Sequence, residues 1–198
     1  MKKTVLRWFG RSSVVVTAAL ASACAVDASV APGGATTSAR RVAAVADVSQ
    51  GNRLPDLTGC EELAAPVGST LVLRAYGVGV QIYRWNGTSW GFVAPSATLF
   101  ADRGGHGKVA DHFGGPTWQS NSGGTVVGTV AKVCTPDAAS IPWLSLTAVP
   151  DGPGIFQKVA FIQRLNTVGG KAPSTPGSVV GEEAQVPYTS DYLFYKAP

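Results

Sequence analysis

The sequence predicts an antiparallel all-β domain, a sandwich or a barrel, placed behind a signal peptide and a disordered tether. Three observations carry this reading. Short β-branched and aromatic runs alternate with Gly, Pro and Asn clusters from about residue 57 onward. Helical periodicity is nearly absent from the same stretch. Turn signals recur about every 8 to 15 residues, the spacing of a sandwich or barrel.

Residues 1–23 read as the signal peptide. Lys2, Lys3, Arg7 and Arg11 flank the apolar stretch Ser12 to Leu20, which is too short for a permanent bilayer helix of about 20 residues. Ala21 and Ala23 suit ordinary A-x-A cleavage, and the same small residues before Cys24 suit bacterial lipid attachment, although Ala21 stands where that box usually has leucine. Free secretion and a lipid-anchored place on the cell envelope therefore both stay open. Either is extracytoplasmic. Cysteine parity favours the anchor, with the membrane as partner through lipid on Cys24, because an exported chain ordinarily pairs its thiols and this one has Cys24, Cys60 and Cys134. With Cys24 lipidated, Cys60 and Cys134 form one disulfide around a loop of roughly 75 residues, which chain entropy values at about 4 kcal/mol. Two buried free thiols are the alternative.

Residues 24–56 read as a flexible tether, with a short propeptide as the rival. They are rich in Ala, Val, Ser, Thr and Gly and carry no aromatic side chain with which to build a core. Residues 57–198 form the domain and hold four of the five tryptophans and all five tyrosines. Its expected strands are Thr70 to Ala75, Val78 to Trp85, Trp90 to Val93 and Ala97 to Ala101, then Val109 to Phe113 and Thr125 to Val133. Leu144 to Ala148, Phe156 to Thr167 and Asp191 to Lys196 complete the set. Asn86-Gly87 marks a hairpin turn. In Phe156 to Thr167 the parity of Val159, Phe161, Gln163 and Leu165 is expected to be buried, and that of Lys158, Arg164 and Asn166 to be wet.

The formal charge of +4 belongs to the signal. Removing its four basic residues leaves twelve basic and twelve acidic side chains, and no Lys/Arg cluster with interleaved aromatics remains for nucleic acid. Gly87-Thr88-Ser89-Trp90-Gly91 matches the G-x-S-x-G pattern of hydrolases, but it lies in a hairpin turn between strands, whereas a nucleophile elbow runs from strand into helix. His106 and His112 are the only histidines and lie near Asp102 and Asp111. Neither H-E-x-x-H nor paired C-x-x-C occurs, so no metal site is expected. Gly77-Val78-Gly79 lacks the third glycine of a dinucleotide fingerprint, and Gly107-Lys108 is followed by valine, so no cofactor is expected either.

A set of separated blocks is more specific. They are Gly79-Val80-Gln81-Ile82-Tyr83, His112 to Trp118 as His-Phe-Gly-Gly-Pro-Thr-Trp, Ile141-Pro142-Trp143-Leu144, Ile162-Gln163-Arg164, Thr167-Val168-Gly169-Gly170, and Val186-Pro187-Tyr188 to Tyr195. In this order, across residues 66–196, they resemble the family called domain of unknown function 3455. The resemblance implies an exported single-domain protein without established activity. The malate dehydrogenase label that some relatives carry finds no nucleotide-binding fingerprint here. It also implies a cysteine just after Gln-Ile-Tyr and another after the Gly-Gly-x-Ala-Pro block, bonded to one another. This chain departs from that pattern: Trp85 takes the first place and no cysteine lies near Pro173 to Ser178, so Cys60 and Cys134 stand as the substitute staple.

Gly-Pro-Thr-Trp and Ile-Pro-Trp-Leu each set a tryptophan just after a rigid proline turn, to anchor a loop on the core or on a binding face. The expected function is binding of a carbohydrate or a small apolar ligand at His112, Trp118, Trp143, Gln163 and Arg164. Only one of Gln163 and Arg164 can point inward, and a buried Arg164 is expected to meet a carboxylate such as Asp111 or Asp191. A hydrolase or metal-assisted enzyme on His112 with Asp102 or Asp111 is the first alternative. A structural envelope module without a ligand site is the second.

Overall fold

The computed structural model describes residues 54–198, all within one compact unit. The signal peptide, Cys24 and the tether as far as residue 53 lie outside the described residues. Eight strands follow one another: β1 Thr70–Trp85, β2 Trp90–Phe100, β3 Lys108–Phe113, β4 Thr117–Ser120, β5 Thr125–Cys134, β6 Trp143–Asp151, β7 Val159–Gly169 and β8 Glu183–Lys196. Each pairs antiparallel with the next, and β8 returns to β1, closing an up-and-down barrel. Closure removes the unpaired edges that an open sheet would present.

The expected β-fold is therefore a barrel, with changes in detail. Thr70 to Ala75 and Val78 to Trp85 are one strand, as are Trp90 to Val93 and Ala97 to Ala101, the latter passing through Pro95. Proline is tolerated there because β2 is paired with β3 only from Ala97 onward, so that side of Pro95 has no ladder bond to lose. The four-residue β4 was not expected at all. Residues 156–158 form a turn rather than the start of β7, and β8 begins eight residues before Asp191, at Glu183.

Side chains alternate between interior and outside along much of β1 to β6, with register shifts at Leu71/Leu73, Ile82/Tyr83, Leu99/Phe100 and Val130/Lys132. Inside, Ala75, Leu99, Ala110, Trp118, Val126, Leu146, Ile162, Tyr192 and Phe194 form the principal core. Phe156, from the 152–158 loop, packs on Phe194 at 4.9 Å between ring centroids and fills the lower end. Gly77 leaves space for a large interior ring: a Cβ there would come within 2.6 Å of Tyr192 Cε2.

The two-sided reading of β7 needs correction. Val159 and Ile162 pack into the interior core, and the register Leu144–Arg164–Tyr192 carries Arg164 inward as well. The other parity, Phe161, Gln163 and Leu165, points out of the barrel yet is also covered. Residues 57–65, including a 3-10 turn at Glu61–Leu63, lie over it and bury Cys60 and Leu63 against Leu165, Leu193 and Tyr195. This part of the wall is consequently buried on both faces, which a strand-by-strand parity argument cannot show. Cys60 and Cys134 are bonded and tie this strap to β5. A disulfide persists in oxidising compartments, so the bond is compatible with a place outside the cytoplasm.

Candidate functional site

In an up-and-down barrel the loops alternate between ends. Residues 86–89, 114–116, 135–142 and 170–182 therefore share the end opposite Phe156. Beneath them lies a cavity of about 300 Å³. Its inner wall comprises Gln81 and Tyr83 of β1, His112 and Trp118, Leu144 and Leu146 of β6, Arg164 and Tyr192. Phe92, Val93 and Val130 form an apolar rim, with Phe92 58% and Val130 47% exposed.

The Gly114-Gly115-Pro116 turn sets the centre of the site. It folds β4 back on β3 so that His112 stands opposite Trp118, and their rings stack at 4.3 Å with a 6° tilt. Tyr192 meets both edge-on, at 5.4 and 5.6 Å. Trp118 is 1% exposed, and Gly128 makes room for it: a Cβ at Gly128 would stand 3.0 Å from Trp118 Cζ3.

His112 is 3% exposed, and its Nδ1–H donates to the Thr117 carbonyl at 2.9 Å. That donation makes Nε2 the acceptor of a neutral ring. Burial, with the nearby Arg164 charge adding to it against the Thr117 bond, lowers the ring's pKa from 6.5 to about 4. Because the folded value is the lower one, the unfolded chain takes up this proton first as pH falls. The stability tied to neutral His112 is full above about pH 6.5 and is lost progressively toward pH 4, by about 3 kcal/mol in all. Urea midpoints of the wild type and His112→Phe at pH 7 and pH 4 check this. The wild type should lose more stability between the two pH values, and an equal loss in both proteins would contradict it.

Arg164 lies among these rings. Its Nη2–H donates to the Pro142 carbonyl at 2.8 Å, and its charge opposes the rise that burial gives the Tyr83 hydroxyl. The expected carboxylate partner is not there. Asp111 pairs with Lys108 at 2.8 Å on the outer face, and Asp191 points outward to Arg103 at 2.6 Å and Asn166 at 2.8 Å. Tyr83 donates its hydroxyl to the Gly170 carbonyl at 2.7 Å, which ties the 170–182 loop to the cavity wall.

Of the five expected ligand contacts, His112, Trp118 and Arg164 come together at the cavity. Trp143 and Gln163 do not, because their parity faces the strap. Trp143 packs in the outer cluster, while Gln163 donates Nε2–H to the Leu63 carbonyl at 2.7 Å and accepts from the Tyr195 hydroxyl at 2.8 Å. Burial pushes that Tyr195 hydroxyl up to about 12. Nor do the candidate catalytic groups converge. Asp111 and His112 are neighbours on a strand and so face opposite sides. Asp102 sits in the exposed 101–107 loop, at the other end of the barrel, where it contacts His106 Nδ1 at 3.1 Å. Ser89, of the hydrolase-like pattern, lies in the β1–β2 turn, its N–H donating to Asn86 Oδ1 at 2.9 Å. Among the described residues no three His, Cys, Asp or Glu side chains gather as a metal site.

Gln81, Tyr83, Leu144 and Tyr192 fall within the family blocks and Leu146 outside them, but nothing in the sequence marks any of the five as a site residue. One local signal does mark the centre of the site: Gly-Gly-Pro between His112 and Trp118 is a turn that pairs those two. The remaining lining follows from barrel register, which is not written in any one segment.

No curated protein and no solved structure matches the chain. The family model described as protein of unknown function (DUF3455) matches residues 66–196, a span that takes in β1 to β8 and every residue lining the cavity, and the chain belongs to that family.

Proposed function

We propose that this domain is an extracytoplasmic binding module that holds one small apolar ligand inside the barrel. The observation that carries the reading is the cavity itself: about 300 Å³, walled largely by Trp118, Leu144, Leu146, Tyr192 and Ile141, and opening past Phe92, Val93 and Val130. Eight-stranded barrels have interiors that are either filled by side chains or hold one small ligand, and this volume lies at the lower end of ligand pockets, about 300–1,000 Å³. A carbohydrate fits less well. Sugars need open aromatic faces, whereas one face of Trp118 is covered by His112 and Trp143 lies under the strap. On this reading the export signal and tether deliver the barrel to the envelope, and lipid on Cys24 keeps it there.

The test is binding of a neutral apolar probe, 1-octanol, followed by saturation-transfer NMR in the wild type and in Val130→Trp. Val130 is half-exposed at the rim, so a larger side chain can stand there without repacking the core. Transfer to octanol should be clear in the wild type and lost in the variant. Unchanged transfer in Val130→Trp, or none in the wild type, would rule the cavity out as the site.

A further inference from the structure

The cavity is apolar, but it is not electrically neutral. Arg164 is its only charged side chain at neutral pH, since no Asp or Glu lines it and His112 is uncharged. Ion pairs among the described residues join Arg84 to Glu183, Arg103 to Asp191, His106 to Asp102 and Lys108 to Asp111, and none involves Arg164. Its Nη2 has the Pro142 carbonyl, while its Nε is buried with no hydrogen-bond partner. One further buried nitrogen on a lining residue, Trp118 Nε1, also lacks an acceptor. The site thus has donors and positive charge in excess, within low-dielectric walls. Proteins ordinarily pair or hydrogen-bond a charge held in such surroundings. A guanidinium matches a carboxylate with two parallel hydrogen bonds, and an ionised carboxylate offers acceptors only.

We propose that the ligand is an apolar monocarboxylate, its carboxylate held by the Arg164 guanidinium and its hydrocarbon or aryl part lying against Trp118, Leu144, Leu146 and Tyr192 toward the Phe92–Val130 rim. The proposal rests on the reading that the barrel cavity binds a small apolar ligand. It adds the sign of the ligand's charge and the group that meets Arg164. Nothing covalent is involved. Arg164 Nε–H is a buried donor without a partner, and a carboxylate supplies the acceptor it lacks.

Four probes of one chain length separate the claims: octanoate, 1-octanol, octylamine and octyl sulfate, each titrated at pH 7 into the purified chain. Octanoate should bind about tenfold or more tighter than octanol and octylamine. Arg164→Met, which keeps length and loses charge, should bring octanoate down to the level of octanol in the same variant. Melting without ligand guards against a folding defect: removing an unpaired charge should leave the melting temperature equal or higher, and octanoate should then raise it in the wild type only. Arg164→Gln serves the same comparison if Arg164→Met does not fold. Octanol binding as tightly as octanoate would overturn the carboxylate and leave the apolar cavity standing. So would octanoate binding that Arg164→Met leaves intact. Octyl sulfate equal to octanoate would overturn the carboxylate in favour of apolar monoanions generally. Failure of all four probes would overturn this proposal and the binding reading together.

Discussion

Replacing Trp118 with alanine lowers the unfolding free energy by about 3–5 kcal/mol, the range for a large aromatic removed from a core. The effect should lie toward the upper part of that range because the indole is the hub of the interior. It stacks on His112 and meets Tyr192 and Phe194 at 5.6 and 5.9 Å. Gly128 faces it and has no side chain to swing into the space. The Nε1–H has no acceptor, and its loss therefore gives back a little of the penalty. Urea denaturation reads the change as a shift in midpoint at constant slope. Trp118→Phe, which keeps a ring against Tyr192, should lose clearly less. A loss below about 1 kcal/mol for Trp118→Ala would mean that the indole packs no better than a surface side chain.

Breaking the Cys60–Cys134 bond should have an effect of similar size through a different route. The two residues are 74 apart in sequence, and closing a loop of that length restrains the unfolded chain by about 4 kcal/mol in the chain-entropy description. The native strap keeps other attachments: buried Leu63 and the Gln163 bond to its carbonyl still hold it to β7. Reduction should therefore destabilise the protein without exposing the outer wall in the native state. Cys60→Ala/Cys134→Ala should match the wild type measured in reductant, each about 4 kcal/mol below the oxidised protein. Equal stability of oxidised and reduced protein would show that the strap, not the bond, does the restraining.

Much of the architecture can be read from local chemistry. The all-β class, the Asn86-Gly87 hairpin and the Cys60–Cys134 pair follow from turn residues, alternation and cysteine parity. The errors share one cause, which is that alternation reports how many faces of a strand are covered but not by what. Gln163 shares a buried parity with Phe161 and Leu165, yet what buries that face is a segment about 100 residues earlier in the chain. Arg164 was expected to be wet or paired with a carboxylate, and barrel closure puts it in the cavity with neither. Short β4 was invisible because four residues carry too little pattern, although its tryptophan was marked. The family blocks led to His112, Trp118 and Arg164, since turns and neighbouring residues hold them. Gln81, Leu144 and Tyr192 reach the same cavity only through registers between separate strands.

The central claim is that the barrel interior, not an outer face, receives a ligand. Amide and indole chemical shifts of the isotope-labelled protein, followed as 1-octanol is added, test it most directly. The account predicts perturbations gathered at Gly114, Gly115, Leu144, Arg164, Tyr192 and the Trp118 indole, with Gln163, Leu193 and the strap residues 57–65 unmoved. Shifts centred on the strap or on Trp143, or none at saturating octanol, would contradict it.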